Sequence, residues 1–456
     1  MDLDQYSELF SGYTELRVQQ NTRRTVALLN GDVVNNTSSV RGGASARVWD
    51  RGMWGFASGA DTSTEAIRSV VDTASRNASY LAGRAPKELG PLQHEAVRSD
   101  DVFGVPGGRW SSAEVVDFLK TLDAAIAERH PGLQARELAL LGLDMEKHLL
   151  TSEGSASDSL IPRTNLLIRL SLVHDGVPFR LADIHGGFGQ GMDALASIEA
   201  IGEAIDQQVE HLQRKAEGVY ASAGAQACVL DAELAGILAH EAIGHTTEAD
   251  LVLGGSIAGG LVGEQVASPL VSLTDFANTA LGRRCPVPVY VDDEGTPSRD
   301  VPIIVDGVLE GFMHNKETAL RLGCAPTGNA RAFTFSDEPL VRMRNTSFLP
   351  GSSKLEEMIA SVDEGYYLMR SSNGQADATS EFMFGVVLGY EIKDGRLGKA
   401  IRDTTISGVA FDVLKTVSMV SDDMVWQSAG MCGKKQPIPV GMGGPAIKCT
   451  LYIGGQ

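Results

Sequence analysis

Leu238-Ala-His-Glu-Ala-Ile-Gly-His-Thr-Thr-Glu-Ala-Asp250 is the stretch from which the rest of the chain can be read. It puts His240, Glu241 and His245, two imidazoles and a carboxylate, at the end of an apolar run that reads as a helix. Asp231 is placed to cap that helix, and Glu233 sits in its first turn, where negative charge suits the helix dipole. In the usual zinc-binding helix two His stand four residues apart on one face, with a Glu beside the first as general base. Here they stand five apart. At about 100° per residue the two rings would point roughly 140° apart on a straight helix, against roughly 40° for the usual spacing. Either a π-type bulge inserts a residue into the turn, or the helix stops at Gly244 and His245 leaves on the loop.

A catalytic zinc needs a third protein ligand and an open position. Glu248 and Asp250 are the local candidates. Cys432 is a distant one, in the tight turn Gly430-Met-Cys-Gly-Lys-Lys435, where Lys434 and Lys435 would favour a thiolate. Cys228, Cys285 and Cys449, in apolar or strand-like surroundings, read as small buried residues, and His314 as an ordinary strand or turn residue. A Cys nucleophile served by His240 would leave Glu241 and His245 without a role. There is no Gly-x-Ser-x-Gly elbow and no phosphate-binding P-loop.

The totals bound the possibilities further. The chain has 456 residues, enough for two or three domains, and 43% of them are hydrophobic. Fifty-one glycines point to many turns and a β-rich architecture. A net charge of −19 argues against a nucleic-acid backbone as partner. Five widely spaced cysteines make no disulfide framework. With no apolar run long enough to span a bilayer and no signal-like N-terminus, a reduced cytoplasm is the expected location.

Outward from the motif, residues 13–58 read as a β-meander with turns at Asn30-Gly31-Asp32, Gly42-Gly43 and Asp50-Arg51-Gly52. Capping boxes at Thr62–Glu65 and Ser111–Glu114 open two helices on either side of a Pro/Gly-dotted linker, about 83–109. Strands are expected at 133–142, 145–152 and 163–174, then a helix at about 192–216. The glycines of Gly187-Phe-Gly-Gln-Gly191 read as a turn or flap, because no βαβ unit supports a phosphate cradle there. Beyond the motif come strands and hairpins, including Val287–Val291, Val301–Val305, Leu340–Thr346 and a pair flanking Asp394-Gly395, with short helices near 315–322 and after Ser353.

These pieces together resemble the TldD/PmbA family, and within it the TldD-like zinc metallopeptidase subunit. The resemblance rests on Gly42-Gly-Ala-Ser-Ala-Arg-Val, Leu238-Ala-His-Glu-Ala-Ile-Gly-His, Asp292-Asp-Glu-Gly-Thr-Pro, Pro326-Thr-Gly-Asn-Ala-Arg, Arg342-Met-Arg-Asn-Thr, Gly374-Gln-Ala-Asp-Ala-Thr-Ser380 and Met431-Cys-Gly-Lys. It implies an α+β fold: an N-terminal α+β domain, residues 1–222, with antiparallel sheets flanked by helices, and a β-rich catalytic domain, residues 223–456, carrying the HExxxH helix. It implies Zn2+ held by His240, His245 and Cys432, with Glu241 as general base. It further implies a dimer, often with a PmbA/TldE-like subunit lacking the motif, that encloses a cavity and hydrolyses unfolded or modified peptides. Thr246 and Thr247 depart from the Gly-hydrophobic pair that the family's pattern leads one to expect. Arg331 and Arg344 are candidates for binding substrate or adding positive charge. The rival from another class is a non-catalytic peptide-binding or assembly subunit, against which the intact HExxxH and Cys432 speak. A gyrase-associated regulator is a third reading, and the charge opposes direct DNA contact.

Overall fold

The computed structural model describes residues 1–84, 89–104 and 108–454. Its N-terminal half is built on a sheet of long strands: β1 (Tyr13–Leu29), β2 (Asp32–Asp50) and β3 (Met53–Gly59), linked by hairpins. The turns form where expected, with Asn30 and Gly31 at φ 50° and 86° and Arg51 and Gly52 at φ 48° and 99°. Two consecutive positive φ values are what a tight hairpin between right-twisted strands demands. Gly42-Gly43, expected as a turn, is not one; β2 runs through it. A Cβ on Gly43 would lie 2.3 Å from the carbonyl oxygen of Gly59 and 2.6 Å from the Phe335 ring. The glycine is there for close approach, not for a bend.

Helix α1 (Thr64–Ala82) buries Ile67, Val70, Val71, Ala74 and Ala78 against this hairpin, the face the periodicity predicts. Its cap is Ser63 accepting from the Ala66 amide, one residue later than the expected box. Of the linker, residues 85–88 and 105–107 lie outside the described residues. Between them a strand the sequence did not announce, β4 (Arg98–Val102), pairs in parallel with residues 156–160. Helix α2 (Ser112–Arg129) opens on the expected Ser111–Glu114 box. Strand β5 (Ala135–Thr151) is continuous where two strands were expected, and β6 (Ala156–His174) and β7 (Val177–Phe188) complete the order β3-β2-β1-β5-β6, with β4 and β7 both paired to β6. The run Gly187–Gly191 is the end of β7 and a turn. Helix α3 (Ile198–Ala216) starts later than the sequence suggested, on the Ser197 cap, and packs on β6 and β7 through Ile201, Ile205, Val209 and Leu212.

The C-terminal half contains a closed ring of strands. β8 (Gly224–Leu230) pairs with Glu364–Ala376 on one side and Ile447–Ile453 on the other. The latter pairs with Thr404–Val409, which pairs with Glu381–Lys393, and that strand returns to Glu364–Ala376. Arg396–Ala400 makes the expected hairpin with Glu381–Lys393 about Asp394 and Gly395, at φ 49° and 70°. A second, six-stranded sheet runs in the order Val308–Leu309, Val301–Val305, β9 (Leu273–Phe276), Asn345–Phe348, Ile438–Gly444, Val425–Cys432. Val287–Val291, expected as a strand, contributes only an isolated bridge from Val291 to Pro297.

Helix α4 (Ala232–Leu238) leaves β8 and fills the space between the ring and the second sheet. Leu234, Ala235, Gly236, Ile237 and Leu238 are all buried, so beyond its first turn the helix is apolar on every side. Each such Leu or Ile stabilises the packed state by about 1.5–3 kcal/mol relative to exposure. The two halves meet in a seam of buried charge. Asp293 takes Lys147 at 2.6 Å, Glu294 takes Arg47 at 2.5 Å, and Lys316 donates to the Tyr13 hydroxyl at 2.6 Å. The run Asp292-Asp293-Glu294 thus ties the second half of the chain to β1, β2 and β5.

Candidate metal centre

The motif lies at the C-terminal end of α4. Asp231 caps the helix, accepting from the Leu234 amide at 2.8 Å. Residues Ala239–Gly244 then form a π-turn, followed by one 3-10 turn at His245–Thr247, before Glu248 turns extended at ψ 121°. This is the bulged alternative that the five-residue spacing predicts. The wider turn brings both rings towards one point, with centroids 5.2 Å apart. Two local features permit it. A Cβ on Gly244 would sit 2.0 Å from Met343 Sδ, so any larger residue would have to displace the Met343 side chain packed on the turn. The hydroxyls of Thr246 and Thr247 each donate at 2.9 Å to the Ile243 carbonyl oxygen, satisfying backbone acceptors at the helix end.

Cys432 arrives at the end of the strand Val425–Cys432, opposite Ile438. The guanidinium of Arg342, fully buried, donates to the Cys432 carbonyl at 2.9 Å and to the Gln436 carbonyl at 2.8 Å, pinning the turn from both sides. Cys432 Sγ lies 3.3 Å from His245 Nε2. One donor atom each from His240, His245 and Cys432 fall within 4.8 Å of one another. Among the described residues this is the one such group of three His, Cys, Asp or Glu.

The chemistry of the group fits a metal. His240 is 0% exposed, yet neither of its ring nitrogens has a hydrogen-bond partner. A buried, unpaired imidazole is costly unless something else takes its lone pair. Burial by itself would push the Cys432 thiol up, but His240 and His245 beside it outweigh burial and bring it down to about 4. The lowering therefore comes from the imidazoles rather than from the expected lysines. Two imidazole nitrogens and a thiolate form a donor set that suits zinc and does not suit the oxygen-seeking Mg2+ or Ca2+.

Neither local acid joins the group. Glu248 is 0% exposed and lies 2.8 Å from His245 Nδ1, on the ring edge opposite the donor nitrogen. Its burial favours the protonated form, but His245 and Lys434 together hold its carboxyl below the usual range. Lys434 reaches Asp250 at 2.7 Å, the Val341 carbonyl oxygen at 2.9 Å and Glu248 at 3.3 Å. Glu241 is 27% exposed, with Oε2 3.7 Å from His245 Nε2, so its carboxylate lies beside the donor cluster and open to solvent. The guanidinium of Arg331 donates to the carbonyl oxygens of Met343 and Pro439, and Arg344 is fully buried against Asp275. Both are occupied in bracing the strands around the site. His314 is buried beside Cys324, with Nε2 3.4 Å from the sulfur, and burial lowers its imidazole to about 4. Cys228, Cys285 and Cys449 are buried, as their surroundings suggest. What sequence reasoning missed is the support: Arg342 under the thiol turn and the orienting role of Glu248. The His-Thr-Thr-Glu spacing, with a carboxylate one 3-10 turn after the second His, is the signal that could have shown the latter.

The comparisons agree with this architecture. The model for the PmbA/TldA metallopeptidase C-terminal domain matches residues 223–454, and that for PmbA/TldA metallopeptidase domain 1 matches residues 14–78. The chain belongs to the PmbA/TldD metallopeptidase family. It is 28% identical over 450 residues to a protein named zinc metalloprotease TldD homolog from Saccharolobus solfataricus, covering 98% of each chain. It is 34% identical over 319 residues to the metalloprotease TldD homolog of Haemophilus influenzae, covering 67% of this chain and 65% of that one. In fold it superposes on the crystal structure of TldE from Thermococcus kodakarensis with a TM-score of 0.77 at 17% identity, covering 99% of each chain. The α+β architecture is shared. Among the described residues, no helix is long and apolar enough to cross a membrane.

Proposed function

We propose that this chain is a zinc-dependent peptidase, with His240, His245 and Cys432 as the metal ligands and Glu241 as general base. The observation that carries it is His240, wholly buried with both ring nitrogens unpaired, next to a lowered thiol and a second imidazole. When bound there, zinc supplies positive charge that polarises a peptide carbonyl and eases deprotonation of water. The other steps fall to the chain itself. Glu241, open to solvent beside the cluster, accepts a proton from the attacking water at a carboxylate oxygen and returns it to the leaving amine. Glu248 holds the His245 ring in one tautomer, with Nε2 free for the metal. Arg342 keeps the Cys432 turn at its depth.

Residues 1–222 and 223–456 are assigned as an N-terminal and a catalytic domain. Unfolded or modified peptides, bound in the cavity of a dimer with a second copy or a TldE-like subunit in a reducing cytoplasm, are the proposed substrates. The relatives' names and the TldE fold likeness support this reading. Metal analysis of protein purified without chelator tests it. About one zinc per chain, lost in His240→Ala, is expected, and metal-free protein overturns it.

A further inference from the structure

Strand β2 pairs with β1 along its whole length, but on its other edge β3 covers only residues 44–50. Residues 32–41 therefore form a free edge, and every one of them is exposed. A free edge carries a row of unpaired backbone groups that can add a strand, and proteins commonly blunt it with lysine, other charges or proline. Between Asp32 and Arg41 this strand has none of these, reading Val-Val-Asn-Asn-Thr-Ser-Ser-Val. Val33, Val34 and Val40 stand in solvent at 41%, 59% and 59% exposure.

The register with β1 shows what this edge would accept. A bulge at Val34 leaves Val33 opposite Leu28, while Val40 lies opposite Thr22. Their odd separation would put the two valines on opposite faces of a regular strand, and the bulge brings them to one face. By the same register Asp32 shares a face with Arg41, Asn35 with Ser39, and Asn36 with Ser38. Residues directly opposite each other in an antiparallel pair also share a face. A second copy laid antiparallel along the edge, with a two-fold axis at Thr37, therefore sets Thr37 against the partner's Thr37. Outward from the axis, Asn36 meets the partner's Ser38, Asn35 the partner's Ser39, Val33 the partner's Val40, and Asp32 the partner's Arg41. Hydroxyl meets hydroxyl, amide meets hydroxyl, valine meets valine and carboxylate meets guanidinium. Such cross-strand pairs are what stabilise a sheet. Among the described residues, neither Asp32 nor Arg41 has an ion-pair partner in its own chain.

We infer that two copies of this chain join β2 to β2 across a two-fold axis at Thr37, making one continuous sheet from two seven-stranded ones. Chains of net charge −19 repel each other as wholes, and an uncharged strip closed by opposite charges is where they can approach. The contact is isologous, one patch meeting itself, a match that an unrelated extended peptide has no reason to make. It gives the dimer proposed above its surface, and rests on that reading only in taking two copies as the working form.

Sedimentation velocity of the full-length protein across the micromolar range tests it, and a dimer is expected. Thr37→Lys sets two ammonium groups face to face at the axis and should weaken the dimer about tenfold. Asp32→Arg and Arg41→Asp each put like charges together at both ends of the contact, and each alone should weaken it about tenfold. Mixed with each other, those two single variants regain an opposite-charge pair at both ends and should dimerise as the native chain does. All three positions are exposed, and unchanged melting curves show that the variants are folded. A chain that stays monomeric overturns the inference, including one whose edge takes up an extended peptide instead. So does a dimer indifferent to Thr37→Lys, or a mixture of the two charge variants that is no tighter than either alone. None of these residues touches the metal ligands, so zinc content reports on the proposed function separately.

Discussion

His245 donates its Nδ1–H to Glu248 Oε2 across 2.8 Å, since a carboxylate held ionised can only accept. That bond keeps a proton on Nδ1, so Nε2, the nitrogen that faces Cys432, is the one left to ligate a metal. His245 itself and Lys434, 3.3 Å from the same carboxylate oxygen, together keep the carboxylate charged although it is wholly buried. Glu248→Gln should therefore weaken zinc binding about 10–100-fold, the usual cost of losing a partner behind a histidine ligand. Competition with a chromogenic chelator measures it. Unchanged affinity would show that the ring is held by something else.

Glu241→Gln should leave zinc bound at about one per chain and reduce peptide hydrolysis by about 10²–10⁴-fold, the range of a general base. Cleavage of unfolded casein alongside metal analysis reads both. A variant that retains both full turnover and zinc assigns the proton transfer elsewhere.

Gly244→Ala places a methyl 2.0 Å from Met343 Sδ. Overpacking of this kind costs about 1–3 kcal/mol. The pair should couple: Gly244→Ala with Met343→Ala should lose less stability than the two single changes added together, as contacting sites do. Chemical denaturation of the four proteins gives the coupling energy. Simple additivity would mean that the π-turn yields in some other direction.

Glu15 is 3% exposed in the seam, among Tyr13, Arg47, Glu294 and Lys316. Burial raises its carboxyl from near 4.5 to about 7, against the pull of Arg47. Between those values the folded protein holds a proton that the unfolded chain has released, so its contribution to stability falls as pH rises through that window. Glu15→Gln removes the titration. The melting temperature of the variant relative to wild type should then move upward from about pH 5 to about pH 8. No relative shift over that range would mean that Arg47 keeps Glu15 ionised throughout.

The parts of this molecule that local chemistry dictates were legible in its residues. Asp231, Ser111 and the Asn30-Gly31 turn each impose one conformation on their neighbours, and each lies where its chemistry put it. The spacing of His240 and His245 required a bulged or ended helix, and the π-turn is the form taken. Cys432 was one candidate among several on its own residues, because nothing local ties it to a helix 187 positions away. Only the resemblance singled it out. Gly42-Gly43 misled because glycine serves close packing as well as turns, and the reason for it, the carbonyl of Gly59 and the ring of Phe335, lies elsewhere in the chain. The buried seam was hidden for a similar reason: Arg17, Arg47 and Lys147 look like surface residues until Asp293 and Glu294 arrive.

The ring of strands has a kinetic consequence. Ile447–Ile453 lies between β8 and Thr404–Val409, and its pairing with β8 joins Ile447 to Leu230 and Ile453 to Gly224, over two hundred residues apart along the chain. Closure thus waits on a contact of very long sequence separation, and such topologies fold slowly. Until that strand docks, β8 and Thr404–Val409 face each other as two open edges, each able to recruit a strand from another molecule. A chain cut before Ile447 would keep both edges open for good, and its fate would be self-association rather than a weakened native state.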